Sequence, residues 1–182
     1  MPMQPGTYSL GPEQATLRIR TGRKGAAAKA GHDLLIEVTA WKATIEAGGQ
    51  AGATTVTLTA DARSLQVREG TGGMKALGDD DRKNIHQTID DEVLKGTAIE
   101  FASRAVRETP GGLEVDGELE LFGRRHPVSF PLGVGEGGEL SAATRLRQSD
   151  WGMKPYSALF GALKVADELT VELEGRLDAT SN

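Results

Sequence analysis

Leu113-Glu114-Val115-Asp116-Gly117-Glu118-Leu119-Glu120-Leu121, residues 113–121, alternates without a break. Leu113, Val115, Gly117, Leu119 and Leu121 share one parity, and Glu114, Asp116, Glu118 and Glu120 the other. Successive side chains of a strand point to opposite faces, so this stretch predicts a strand with one dry face and one wet, acidic face. Residues 169–177 repeat the pattern, with Leu169, Val171, Leu173, Gly175 and Leu177 set against Thr170, Glu172, Glu174 and Arg176.

Weaker copies fill most of the remaining chain. Leu17 and Ile19 alternate with Thr16, Arg18 and Arg20, and Leu34, Ile36, Val38 and Ala40 form one face of a longer run. Beyond Ala40 the apolar phase switches to Trp41, Ala43 and Ile45, which predicts a bulge or strong bend near Trp41. Val56, Leu58 and Ala60 alternate with threonines, Ile99, Phe101 and Ser103 with Glu100 and Ala102, and Leu140, Ala142, Thr144 and Leu146 with Arg145 and Arg147. Val128, Phe130, Leu132 and Val134 follow the same rule, but Pro131 demotes their strand to an edge or a bulge. Glycine-rich turns at 47–49, 110–112, 123–125 and 135–138 punctuate the runs. Roughly eight or nine antiparallel strands result, at the spacing of a sandwich or a barrel.

One segment departs from this period. After Asp79-Asp80-Asp81, residues Ile85, Ile89 and Val93 recur at intervals of four, which places them on one face of an amphipathic helix over about 80–95. The aspartates suit its N-terminus and Gly96 its stop. The glycine-bearing stretch 69–78 before it reads as a loop. No internal repeat and no domain boundary is visible, so residues 1–182 are read as a single domain.

Composition removes whole classes of function. The 182 residues contain no cysteine, which excludes disulfides, thiol nucleophiles and iron–sulfur clusters. With 21 Lys and Arg against 26 Asp and Glu, the net charge of −5 argues against a nucleic-acid partner. No apolar run is long enough for an integral membrane segment. Residues 1–11 lack a basic start followed by an apolar block, so a cytoplasmic location is expected. His32, His86 and His126 are far apart in sequence, without H-x-H or H-E-x-x-H spacing, so no metal and no cofactor is expected.

Strands with one aliphatic face must bury it, by stacking two sheets or by closing one on itself. About eight strands closing into a barrel leave room for side chains or for one small ligand. Small inward residues such as Gly117, Ala142 and Gly175 favour free space, unless large neighbours fill it. A packed core therefore stands beside a cavity as the meaning of the same pattern.

Several segments, taken in order, resemble the YceI-like family, also described as polyisoprenoid-binding or lipid-binding. They are Tyr8-Ser9-Leu10, Ala30-Gly31-His32-Asp33-Leu34, the helix from Asp81 to Leu94, Ile99 to Ser103, Leu119 to Val128, Arg147-Gln148-Ser149-Asp150-Trp151-Gly152-Met153 and Val165 to Leu169. The resemblance spans Tyr8 to about Leu177. It implies a lipocalin-like extended antiparallel β-barrel, all-β apart from one helix packed against it. It also implies an apolar lumen that holds a long-chain isoprenoid or fatty-acyl lipid for transport or storage, without enzymatic activity, and often a homodimer. Many members of the family are exported. The role of lumen lining, and so of ligand binding, then falls on Leu17, Ile19, Ile36, Val38, Trp41, Val56, Leu58, Ile99, Phe101, Val115, Leu119, Val128, Phe130, Leu146, Trp151, Phe160 and Val171. The family brings no catalytic residues with it.

Other readings remain open on the residues themselves. His32 and Asp33 adjoin at the mouth of a strand and have the chemistry of a base and its orienting partner for an enzyme acting on an apolar substrate. A solid barrel would instead be an interaction module. Arg18, Arg20, Arg23 and Lys24 form a basic patch, read as a solvated face or as a site for an anionic head group or membrane surface. Tyr156 to Phe160 reads equally as a lid over a cavity or as a permanent plug.

Overall fold

The computed structural model describes residues 3–158, 161 and 163–178. The chain runs through β1 (Gly6–Leu10), β2 (Ala15–Arg20), β3 (Arg23–Lys24), β4 (Asp33–Val38), β5 (Trp41–Ala47), β6 (Thr55–Ala60) and β7 (Leu65–Thr71). Helix α1 (Asp79–Thr88) follows, then β8 (Ile99–Thr109), β9 (Gly112–Leu121), β10 (Arg124–Val134), β11 (Glu139–Arg147), β12 (Ser157–Ala158), β13 (Leu163–Val165) and β14 (Glu168–Arg176). Eleven strands form one antiparallel sheet in the order β1-β5-β6-β8-β9-β10-β11-β14-β2-β4-β7, and β12, β13 and β3 form a small second sheet.

The large sheet closes on itself, and the register shows how. β4 and β5 are one run of chain bent at Thr39 and Ala40, and β6 and β7 are one run bent at 61–64. The two runs make a single hairpin, with Trp41 opposite Ala60 and Val38 opposite Leu65. At the bend the Asp61 N–H donates to the Ala40 carbonyl and the Thr39 N–H to the Ser64 carbonyl. β1 and β2 are likewise one interrupted run that follows β5 and β4. The lower half of the hairpin pairs with β8 through β6, and the upper half pairs with β2 through β4. β2 pairs in turn with β14, so neighbouring ladders go all the way round. The eleven strands are thus eight runs, three of them cut by bends. This is the lipocalin-like barrel expected. The bend lies where the phase switch placed it, because an odd spacing of three residues separates the inward-facing Val38 from the inward-facing Trp41.

β10 departs in part from expectation. It pairs with β9 from Arg124 to Gly133, so it is no edge on that side. Its ladder with β11 covers only Leu132 to Val134 and stops beside Pro131. A proline has no N–H to donate. From Arg124 to Pro131 β10 therefore behaves as an edge within the wall, and a seam separates it from β11.

The expected helix exists but changes character. α1 begins with the Gly78 N–H bonded to Asp81 Oδ2 at 2.9 Å, and its first turn holds Asp79, Asp80 and Asp81 against the positive end of the dipole. It then widens into one π turn over Ile89–Val93, where the Leu94 N–H bonds to the Ile89 carbonyl. Lys95 and Gly96, both left-handed at φ 53° and 62°, end it. Among the described residues no helix is long and apolar enough to cross a membrane.

The two ends of the barrel differ. At the end where β9 begins, Leu113 and Val115 have no exposed surface, and Val106, Ile45, Leu10, Leu132 and Leu140 are all buried around them. Met3, ahead of β1, and Ala51, in the β5–β6 turn, are buried with the same core. The opposite end is hollow.

Candidate functional site

A cavity of about 880 Å³ occupies the hollow end. Leu10, Ile45, Leu132 and Leu140, the nearest residues of the packed end, form its floor. Its wall is built by inward parity positions of successive strands. β2 supplies Leu17 and Ile19, β4 Ile36 and Val38, β6 Val56 and Leu58, and β8 Ile99 and Phe101. β9 supplies Leu119, β10 Val128 and Phe130, β11 Leu146, and β14 Val171. Trp151 completes the set of sequence-selected residues that border the void.

Two of the selected residues do not border it. Val115 faces inward as expected but lies below the floor, fully buried in the packed end. Trp41 is also buried, beside the bend, and its indole N–H has no hydrogen-bond partner among the described residues. Phe160 lies outside the described residues, and with it the larger part of the Tyr156–Phe160 loop. Tyr156 itself borders the mouth and is 42% exposed.

Small inward residues do not all leave space. The Phe101 ring lies over Gly117, where an added Cβ would come within 2.5 Å of it, and meets the Phe130 ring at a tilt of 56° with centroids 5.4 Å apart. Gly175 is covered by Ala15 and the Gln14 backbone. Only Ala142 of the three expected positions opens onto the cavity.

Other lining residues come from outside the strands selected on sequence. Ile85, Ile89, Val93 and Leu94 turn the helix's apolar stripe into one side of the cavity. Met74 to Leu77, from the loop before the helix, border its mouth. The helical period had revealed the stripe, but not that it would face a void. The loop carries no periodic signal at all.

The mouth is polar. Arg23 donates through Nε to Asp33 Oδ1 at 3.0 Å and through Nη1 to the Gly31 carbonyl at 2.5 Å. His32 donates through Nε2 to the Lys75 carbonyl at 2.6 Å, which ties the loop before the helix to the rim. His32 and Asp33 are thus each engaged with another group, and the arrangement is not that of a base held by its carboxylate. His86 lies on the helix against the Arg63 carbonyl, and His126 sits 5.1 Å from the ring of Trp151. Among the described residues no three His, Asp or Glu side chains gather as metal ligands.

Trp151 closes the seam between β10 and β11. It is 1% exposed and donates its indole N–H to the Leu119 carbonyl at 2.7 Å. On its outer side a cleft of about 120 Å³ is lined by Pro127, Ser129, Thr144 and Asp150, with Trp151 at its back. Trp151, with Val128, Thr144 and Leu146, therefore borders both the lumen and this cleft. The turn that carries it is anchored by Asp167, which accepts from the Ser149 hydroxyl and amide. The Ser149 hydroxyl bond outweighs desolvation and holds the Asp167 carboxyl below the usual carboxylate range, with Arg147 and Lys24 adding to the effect.

Residues 8–177 match the model of the YceI-like domain. No curated protein sequence matches the chain. Among solved structures, the Burkholderia cenocepacia protein BcnA is similar with a TM-score of 0.59 at 16% identity, over 87% of this chain and 94% of that one. A mutant CJ YCEI protein with a monobromobimane guest is similar at TM-score 0.57 and 11% identity, over 79% of this chain and 84% of its own. At these identities the likeness concerns the fold.

Proposed function

Because the chain belongs to the YceI-like domain family, a family known as polyisoprenoid-binding, we propose that it binds a lipid. It would hold an isoprenoid or fatty-acyl tail in the barrel, for carriage or storage. The observation that carries this reading is the 880 Å³ cavity, floored by Leu10, Ile45, Leu132 and Leu140 and lined predominantly by apolar side chains. That volume lies toward the upper end of the usual range for small-molecule sites, about 300–1,000 Å³. Each methylene moved out of water contributes about 0.8 kcal/mol, so ten buried carbons give about 8 kcal/mol before the cost of immobilising the chain.

The polar groups at the rim support the same reading. A lipid tail needs no partner in the lumen, whereas its head group needs hydrogen bonds or water, and the rim supplies both. His32 and Asp33, engaged with Lys75 and Arg23, add nothing in favour of turnover.

Native mass spectrometry of gently purified protein tests the reading. A bound species of lipid mass is expected, and so is saturable uptake of a fluorescent acyl or prenyl probe. Protein that carries no lipid and takes up neither probe would end the proposal.

A further inference from the structure

Two segments at the rim of the cavity carry lysines and no carboxylate. Residues 15–32 contain Lys24 and Lys29, and residues 151–166 contain Lys154 and Lys164. The small sheet brings them together, because β3 pairs with β13 and sets Lys24 directly opposite Lys164. Like charges placed opposite on neighbouring strands destabilise a sheet. Both lysines are exposed, and among the described residues no carboxylate forms an ion pair with either. Asp33, the first acid after the first segment, is held by Arg23. Asp167, the first after the second, accepts from Ser149 and feels Lys24 only as a nearby charge, without an ion pair between them.

The same rim bears Met74, 82% exposed, and Tyr156, 42% exposed, the large hydrophobics that stand out into solvent among the described residues. Both border the cavity mouth. Apart from Asp33, the acids nearest the opening are Asp79, Asp80 and Asp81 at the start of the helix that follows β7, of which Asp81 borders the cavity. A chain of net charge −5 thus presents a local positive sector with apolar side chains beside it, at the opening of its lumen.

We propose that this sector of the mouth, β3, β13 and the residues around Tyr156 and Met74, docks on an anionic lipid bilayer. Lysines are drawn to anionic head groups, and a tyrosine suits the boundary between head groups and acyl chains. Docked in this way, the mouth faces the membrane, and a lipid tail passes between bilayer and lumen without crossing water. The purpose of docking rests on the lipid-binding reading, whereas docking itself is measured separately.

Co-sedimentation with vesicles tests it, using phosphatidylcholine alone and phosphatidylcholine with one third phosphatidylglycerol. The wild-type chain is expected to sediment with the anionic vesicles only, and to be released as salt screens the attraction. Each lysine near such a surface is worth roughly five-fold in partition. The triple variant Lys24→Glu, Lys29→Glu, Lys154→Glu, none of which borders the cavity, should bind at least 100-fold more weakly. Its uptake of a fluorescent acyl probe from solution should not change. Equal binding to both vesicle types, or a triple variant that binds like wild type, would overturn the proposal. So would a dimer in light scattering that the triple variant loses, with no vesicle binding, since the sector would then belong to a second copy. Vesicle binding without probe uptake would refute the lipid-filled lumen and leave docking intact.

Discussion

The packed and hollow ends of this barrel are made from the same strands. β9 begins at Leu113 and Val115, which have no exposed surface, and ends at Leu119 and Leu121, which border a void. β8 runs the other way, from Ile99 and Phe101 at the cavity to Val106 in the core. Residue type does not make the difference, since leucine and valine serve both ends. What differs is whether anything enters the barrel from outside its wall. At the packed end Met3 and the turn at Ala51 are buried with the strands. At the other end the helix lies against the opening and contributes a wall instead of a plug. Stability therefore resides at one end and capacity at the other.

The sharpest way to break that division is to truncate one leucine at each end. Leu113→Ala should cost about 3–5 kcal/mol, because a cavity opens where every contact was made. Leu146→Ala should cost no more than about 1 kcal/mol, because its side chain already faces empty space and has few contacts to lose. Denaturant unfolding of the two variants measures both. Equal losses would mean that the hollow end is closed in solution. Bound lipid should enlarge the Leu146 penalty and leave the Leu113 penalty unchanged.

Filling the void gives the next largest effect. Ala142→Phe points a ring into the cavity and should weaken binding of an acyl probe more than ten-fold, while stability changes by about 1 kcal/mol or less. Overpacking a filled core instead costs about 1–3 kcal/mol. Gly117→Ala provides that contrast, since its Cβ would meet the Phe101 ring and the Ala102 carbonyl.

Alternation along the sequence identifies which face of each strand turns inward, and it does so for Leu119 and Val115 alike. It carries no information on depth along the axis, which is why Val115 could not be separated from the lining residues. Trp41 fails for a related reason: its parity is inward, but it sits at the bend. The bends were legible only at Thr39 and Ala40, where the apolar phase jumps. The break at 61–64 leaves no such mark. The helix was legible from Ile85, Ile89 and Val93, whereas the rim residues Met74 and Lys75 come from a loop held by the His32 bond to the Lys75 carbonyl and by Leu77 packed on the core, contacts that leave no periodic mark. Gly117 was misleading in isolation, because the ring that fills its space comes from a neighbouring strand.

The seam between β10 and β11 lies in the hollow half, and Trp151 is its closure. Trp151→Phe removes the N–H that reaches the Leu119 carbonyl at 2.7 Å. A buried carbonyl left without its donor costs about 1–2 kcal/mol. The same change thins the partition that Trp151 forms with Val128 and Leu146 between lumen and outer cleft. Stopped-flow release of a bound probe should accelerate in this variant, while unfolding at the packed end, followed by amide exchange at Leu113 and Val115, should keep its ranking as the slowest. Unchanged release would place exchange at the mouth alone.

The smallest effect concerns the anchor of that same turn. Ser149 holds the Asp167 carboxyl below the usual range. A group with a lowered folded pKa stabilises the fold above its unfolded value, about 4 for an aspartate, and that contribution disappears as pH falls through the folded value. Asp167 lies near the surface, so solvent screening limits the contribution to a few tenths of a kcal/mol. Asp167→Asn should therefore be slightly less stable than wild type at pH 7, and the gap should close on acidification below about pH 4. Because the bond serves Trp151 at the hollow end, the variant should also release probe faster at pH 7. A stability gap that persists unchanged to pH 2 would show that the carboxylate charge has no part in holding the turn, and that the amide-for-carboxylate shape alone matters.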